Sequence, residues 1–285
     1  MMTARIGALN VYPVKSCRGI AVERATVAAR GLSLEAGPHV VADREWMIVD
    51  GDGVFVTQRK EPRLALIVPR IGSDALELAA AGRAPLRLPF AAAHGVTREV
   101  IVWNDRVRAD DAGDEAARWL TSFLGAPVRL VRFDATRERR CNPAYVGASG
   151  AHTAFADGYP LLVIGEASLA DLNARLVAKG AAPLPMNRFR PNVVIAGLEP
   201  YDEDHLDTIE ANGVVLKLVK PCTRCVTTTT NQETAVRGVE PLPTLAEYRL
   251  DRMLDGVAFG MNAIVADGPG RTLEVGARVH CAFRF

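Results

Sequence analysis

Cysteine is scarce in this chain. There are five in 285 residues: Cys17, Cys141, Cys222, Cys225 and Cys281. Scattered thiols in a chain of this size fit a reducing compartment, and the cytoplasm is the expected location. An excess of charge is also missing. Lys and Arg number 34 against 33 Asp and Glu, for a net charge of +1, so nothing calls for nucleic acid or an anionic membrane as partner. Long apolar runs are absent. Leu161-Leu162-Val163-Ile164 falls far short of the ~20 residues that span a bilayer. The opening Met1-Met2-Thr3-Ala4-Arg5-Ile6-Gly7 lacks the apolar core of a signal peptide. Two redox devices are missing as well. No Cys-x4-Cys-x2-Cys run offers a ferredoxin-type cluster, and no Gly-rich turn opens a helix to bind a dinucleotide. Any electrons the protein uses are therefore expected from a separate redox protein, not from NADH or NADPH directly.

With 49% apolar and 24% charged residues, the composition is that of a globular protein with one large domain or two ordinary ones. The dominant local signal is short strands punctuated by turns. Residues 4–12, 20–28, 40–49, 53–57, 64–69, 76–78, 86–90, 97–103, 106–109 and 128–133 all show strand composition. Asp50-Gly51-Asp52-Gly53 marks a hairpin turn. Two amphipathic helices are expected. One covers 114–124, with Ala117, Leu120 and Leu124 on its apolar face. The other covers 168–179, capped by Ser168, with Leu169, Leu172, Leu176 and Val177 inward and Gly180 ending it. The charged, aperiodic stretch from Asp134 to Pro143 suits a linker or mobile loop. Its Arg137, Arg139 and Arg140 read as a solvated basic patch, with docking of an acidic redox partner as the lesser reading. The fold class is mainly β with a few helices (α+β), in two barrel-like units, 1–134 and 135–285.

The sharpest chemical feature is Pro221-Cys222-Thr223-Arg224-Cys225, between a strand at 214–220 and a second expected strand at 226–230. Zinc would need a second Cys/His pair, and His39, His94, His152, His205 and His280 show no ligand spacing. A thioredoxin-type pair would open a helix, whereas a β-branched run follows here. Two buried, inert cysteines remain a reading. So does a single thiolate bound to a metal that brings most of its own ligands.

The blocks along the chain carry a resemblance. Tyr12-Pro13-Val14-Lys15-Ser16-Cys17-Arg18-Gly19, Asp43-Arg44-Glu45-Trp46-Met47-Ile48-Val49 and Thr57-Gln58-Arg59-Lys60-Glu61-Pro62-Arg63-Leu64 resemble the MOSC N-terminal domain. Asp157-Gly158-Tyr159-Pro160-Leu161-Leu162, Glu166-Ala167-Ser168-Leu169-Ala170-Asp171-Leu172-Asn173, Arg188-Phe189-Arg190-Pro191-Asn192 and Cys222-Thr223-Arg224-Cys225 resemble the MOSC domain. From about residue 5 onward the chain is similar to the YcbX and mitochondrial amidoxime-reducing component family, whose members bind a molybdenum cofactor and reduce N-hydroxylated compounds.

The resemblance implies a MOSC N-terminal barrel-like domain packed on a MOSC barrel, with the first ~45 residues reaching the C-terminal half. It implies Cys225 as the molybdenum ligand, since soft sulfur suits a dithiolene-bound metal, and a structural role for Cys222. Lys15, Ser16, Arg44 and Arg190 match phosphate-binding positions, where charge-assisted donors are wanted. Thr223 and Arg224 fall at cofactor contacts beside the metal. Asp157 matches a position near the pterin and is the second catalytic candidate. Asn192 and Asn262 are further carried-over cofactor contacts. The implied activity is reduction of hydroxylamines, amidoximes or N-hydroxylated bases, with a ferredoxin or flavoprotein as donor. The alternative is a cofactor or sulfur carrier without reductase activity, as in the molybdenum cofactor sulfurases.

Overall fold

A computed structural model describes residues 4–91 and 95–284; His94 lies outside them. The fold is mainly β. One large sheet runs, in spatial order, through Ile20–Val22, Arg5–Val11, Val193–Ala196, Leu161–Gly165, Gly256–Asp267, Val214–Thr223, Leu206–Ala211 and His280–Phe283. The N-terminal strand thus sits inside a sheet otherwise built from the second half of the chain. Arg5–Val11 runs antiparallel to Val193–Ala196, pairing Arg5 with Ala196 and Leu9 with Val193. A second cross-link repeats the pattern: Thr272–Glu274 pairs with Arg24–Ala28. The core follows the same mixing. Ile6, Leu9, Val11 and Leu32 pack with Val163, Ile195, Leu216 and Met261 in one apolar cluster. Burial of such side chains is the main favourable term in folding, so these pairings lock the two halves together.

The helix Asp114–Leu124 forms over the expected residues, with Leu120 and Leu124 buried as expected but Ala116 rather than Ala117 as the third buried position, and with Gly125 in the left-handed region at its end. The second long helix begins two residues before its expected start, at Glu166. Ser168 does not cap it. Its hydroxyl donates to buried Glu203 at 2.7 Å and accepts from the Tyr201 amide at 2.8 Å. Val177 turns outward and is exposed.

Other expectations also fail locally. Residues 20–28 split into two strands that serve different sheets, and residues 40–49 are broken between His39–Ala42 and Trp46–Asp50 by Asp43-Arg44-Glu45, with Arg44 at φ 49°. Segment 53–57 makes only isolated bridges. Segment 64–69 opens as a 3-10 turn, Pro62–Leu66, because Glu61 caps it and Pro62 starts it. The strand expected at 226–230 is a 3-10 turn, Val226–Thr229. Threonine hydroxyls explain this: Thr228 donates to the Cys225 carbonyl at 2.9 Å and Thr229 to the Val226 carbonyl at 2.8 Å. Side chain-to-backbone bonds of this kind compete with strand pairing.

The basic patch is corrected at its centre. Arg137 and Arg140 are exposed, but Arg139 is 6% exposed. It pairs with Asp105 at 2.6 Å and donates to the carbonyls of Ala154, Ala156 and Asp157. Arg139 is a brace holding the segment that carries Asp157. Replacing Arg139 by Leu should cost about 3 kcal/mol in denaturant unfolding, because buried acceptors lose their donors. Arg137→Ala and Arg140→Ala should stay within about 0.5 kcal/mol of the parent. Equal effects at all three positions would contradict the brace.

Candidate active site

The paired strands Arg5–Val11 and Val193–Ala196 deliver their flanking segments to one place. Tyr12 follows the first, and Arg190-Pro191-Asn192 precedes the second. Asp43, 2% exposed, ties them together. Its carboxylate accepts from the Tyr12 amide at 2.8 Å, from the Asn192 side chain at 3.0 Å and from Arg44 Nη1. Arg44 also donates to Asn192 Oδ1 at 3.0 Å. Asn192 in turn donates to the Asn10 carbonyl and accepts from the Leu162 amide. Both guanidiniums lie over the Tyr12 ring, Arg44 at 4.2 Å and Arg190 at 4.4 Å from its centroid, an arrangement each cation gains from. Gly19 makes room for that ring, since a Cβ there would sit 2.4 Å from it.

Ser16, Arg44 and Arg190 all hold positive φ, at 68°, 49° and 59°. Left-handed backbone is costly for side-chain-bearing residues and gathers at functional sites. Lys15, 5% exposed, reaches the Phe155 carbonyl at 2.7 Å and Asp157 Oδ1 at 2.5 Å. Asp157 also accepts from the Trp103 indole at 3.0 Å.

All ten residues singled out in the sequence line one solvent-open groove of about 160 Å³: Lys15, Ser16, Arg44, Asp157, Arg190, Asn192, Thr223, Arg224, Cys225 and Asn262. A larger groove at Ile20, Leu34, Pro69 and Ile71 includes none of them. Cys225 and Cys222 differ in surroundings. Arg224 donates to Cys222 Sγ at 2.8 Å and to the Phe189 carbonyl at 2.6 Å, and Cys222 packs against the cluster around Phe189 and Phe259. Arg59 Nε lies 3.2 Å from Cys225 Sγ. Asn262 spends its amide on the carbonyls of Lys220 and Pro221, bracing the strand that leads to Cys222.

Charge in this groove is crowded. Burial pushes Arg190 down to about 10, with nearby Arg44 adding to the shift. Burial also lowers Lys15, opposed by Asp157. Burial raises Asp43 against the pull of Arg44. Asp157 is solvent-exposed, and the Lys15 charge with the hydrogen bonds from Lys15 and Trp103 holds its carboxyl well below the usual range. Arg190 Nη2 and Arg224 Nε are buried without a hydrogen-bond partner. Desolvated guanidinium N–H groups left unpaired cost free energy, and an anion with several oxygens would satisfy them. Among the described residues no group of three His, Cys, Asp or Glu side chains could hold a metal by itself. The donor set thus fits an anionic group, and a metal held here would have to bring most of its own ligands.

Sequence reasoning missed Asp43, Gln58, Trp103, Arg59 and Gln232 as parts of this site. Gln58 donates to the Ser16 carbonyl at 2.6 Å and exchanges amide bonds with Gln232 at 3.1 and 3.0 Å. Asp43, Gln58 and Arg59 did carry a signal, since each falls inside a matched block.

The MOSC N-terminal beta barrel domain matches residues 3–127, and the MOSC domain matches residues 151–280. The chain belongs to the MOSC family. It is 37% identical over 285 residues to mitochondrial amidoxime-reducing component 1 of Homo sapiens, covering 96% of this chain and 82% of that protein. It is also 37% identical over 247 residues to mitochondrial amidoxime reducing component 2 of Rattus norvegicus, covering 84% and 71%.

Inorganic phosphate should stabilise the protein. At about ten times its Kd it contributes about 1.4 kcal/mol, a rise of about 2–3 °C in Tm for a chain of this length. Arg190→Leu should abolish most of that rise in a thermal melt. An undiminished rise in the variant would contradict an anion site at Arg190.

Proposed function

We propose that the chain is a molybdenum-cofactor-dependent reductase of N-hydroxylated substrates: hydroxylamines, amidoximes or N-hydroxylated bases. The observation that carries this reading is the groove itself. It has strained, under-compensated cations and a partly exposed cysteine, Cys225, in one lining. The names of the relatives, amidoxime-reducing components, support the substrate class.

Under this reading Lys15, Ser16, Arg44 and Arg190 bind the terminal phosphate of the cofactor. Asn192 holds Arg44 in place through Asp43. Thr223, Arg224 and Asn262 order the segment that presents Cys225, and Cys225 binds the metal. The cofactor, when bound, supplies a two-electron couple that the side chains lack. Asp157 is ionised at neutral pH, so its part is to accept. It keeps the Lys15 ammonium and the Trp103 indole at the groove. Lys15 already donates to Phe155 O and Asp157 Oδ1, which leaves one of its three N–H groups for the phosphate.

Electrons come from a separate protein of ferredoxin or flavoprotein type. Arg137 and Arg140 are available for charge steering, and Arg139 is not. Among the described residues no helix is long and apolar enough to cross a membrane. All five cysteines are free. That suits a reducing compartment, and we propose the cytoplasm, although the relatives are named as mitochondrial. The division at residue 134 is proposed as the boundary between the two MOSC units.

With reduced methyl viologen as donor and benzamidoxime as substrate, Cys225→Ser should lose more than the roughly 100-fold that removal of an outer partner costs. Cys222→Ser should lose roughly 10-fold or less, with the circular dichroism of both unchanged. Equal losses in the two variants would overturn the asymmetric roles.

A further inference from the structure

Arg59 has no role in the cofactor reading, yet it lies closest to the thiol assigned to the metal. Its backbone is held on two sides. Gln58 is buried and bonded to Ser16 and Gln232, and Arg237 donates to the Gln58 carbonyl at 2.7 Å. Its guanidinium is held by Cys225 Sγ, 3.2 Å from Nε, and by the Trp103 ring, whose centroid is 4.5 Å from Cζ. Among the described residues no carboxylate lies within ion-pair distance of Arg59. Its Nη hydrogens therefore remain free at the groove, in an exposed side chain.

Trp103 occupies the tip of a hairpin in which Val102 pairs with Asp105. It holds φ 57°, a conformation rare for a bulky side chain. The ring is 36% exposed, packs on Phe55 at 4.9 Å and donates to Asp157. Backbone strain at this tip sets an indole where it supports a guanidinium beside Cys225.

From this placement we infer that Arg59 binds the oxygen of the substrate N–O bond, with Trp103 as its positioning residue. The inference rests on the reductase reading. In the overall reaction, R–NH–OH takes two electrons from the external redox protein and two protons from solvent. The N–O bond breaks, its electron pair stays with oxygen, and R–NH2 and water leave. Negative charge develops on that oxygen as the bond breaks. A preorganised guanidinium aimed at developing charge is among the strongest contributions a site can make.

The test uses the molybdenum-loaded full chain and the variants Arg59→Gln, Arg59→Lys, Trp103→Leu and the double variant Arg59→Gln/Trp103→Leu. Molybdenum content is measured for each. The Kd of benzamidoxime is measured by calorimetry on oxidised protein without a donor, where no turnover occurs. Arg59→Gln should raise Kd roughly 10-fold or more and lower kcat/KM by roughly 100- to 1000-fold, with molybdenum content equal to the parent. Arg59→Lys should recover part of both. Trp103→Leu should raise Kd in the parent but not in the Arg59→Gln background, the coupling expected if it acts through Arg59. A Kd for Arg59→Gln equal to the parent, or one that rises only as molybdenum is lost, overturns the inference. So does a parent that fails to bind benzamidoxime. A parent that binds it but never reduces it removes the reductase reading instead, and the Kd comparison still decides whether Arg59 holds the ligand.

Discussion

The site depends on one buried carboxylate. Asp43 accepts from the Tyr12 backbone, from Arg44 and from Asn192, groups that arrive from three separate stretches of chain. Taking a carboxylate out of water is costly unless it is paired and hydrogen-bonded. Here the bonds that offset the cost also fix the geometry of the groove. Arg44 is pinned at positive φ, Asn192 is held in place, and the entry of the N-terminal strand into the large sheet is locked to the segment carrying Arg190. The strand pairing of Arg5–Val11 with Val193–Ala196 brings the backbones together, and Asp43 orients what hangs from them.

Asp43 balances only part of the positive charge around it. Lys15, Arg44, Arg190 and Arg224 crowd a partly desolvated space, and buried guanidinium nitrogens on Arg190 and Arg224 lack partners. Such an arrangement opposes folding of the empty protein and favours any anion that enters. Strain at Ser16, Arg44 and Arg190 points the same way. The left-handed conformations are held by the surrounding packing, and what they produce is a convergence of donors. Stability spent at the groove is recovered elsewhere, through the apolar cluster that both halves of the chain share.

Much of this was legible in the sequence, and for identifiable reasons. The helix 114–124 has an apolar period strong enough to fix its bounds and the burial of Leu120 and Leu124, although Ala116 takes the buried place expected for Ala117. Nine of the ten groove residues were legible because they sit in matched blocks, Asn262 was carried over without one, and all ten line the same groove. What escaped depends on partners distant in sequence. Thr228 and Thr229 have strand-forming side chains, but their hydroxyls bond back to carbonyls three residues earlier. Arg139 looks like one of three surface charges until the fold closes Ala154, Ala156 and Asp157 around it. Ser168 carries a capping signature but is claimed by Glu203. Trp103 gives no sign of function in the sequence; only the hairpin tip and its neighbours Arg59 and Asp157 reveal it.

Under the proposed function, the crowded cations and Cys225 together hold a molybdenum-bearing, phosphate-bearing cofactor. Metal and pterin analysis of the chain purified from a molybdenum-replete host tests this most directly. Close to one molybdenum and one pterin per chain is expected, with both falling together when Arg190 is replaced by Leu. Stoichiometric absence of molybdenum and pterin from the parent, or full retention of both in the variant, would contradict it.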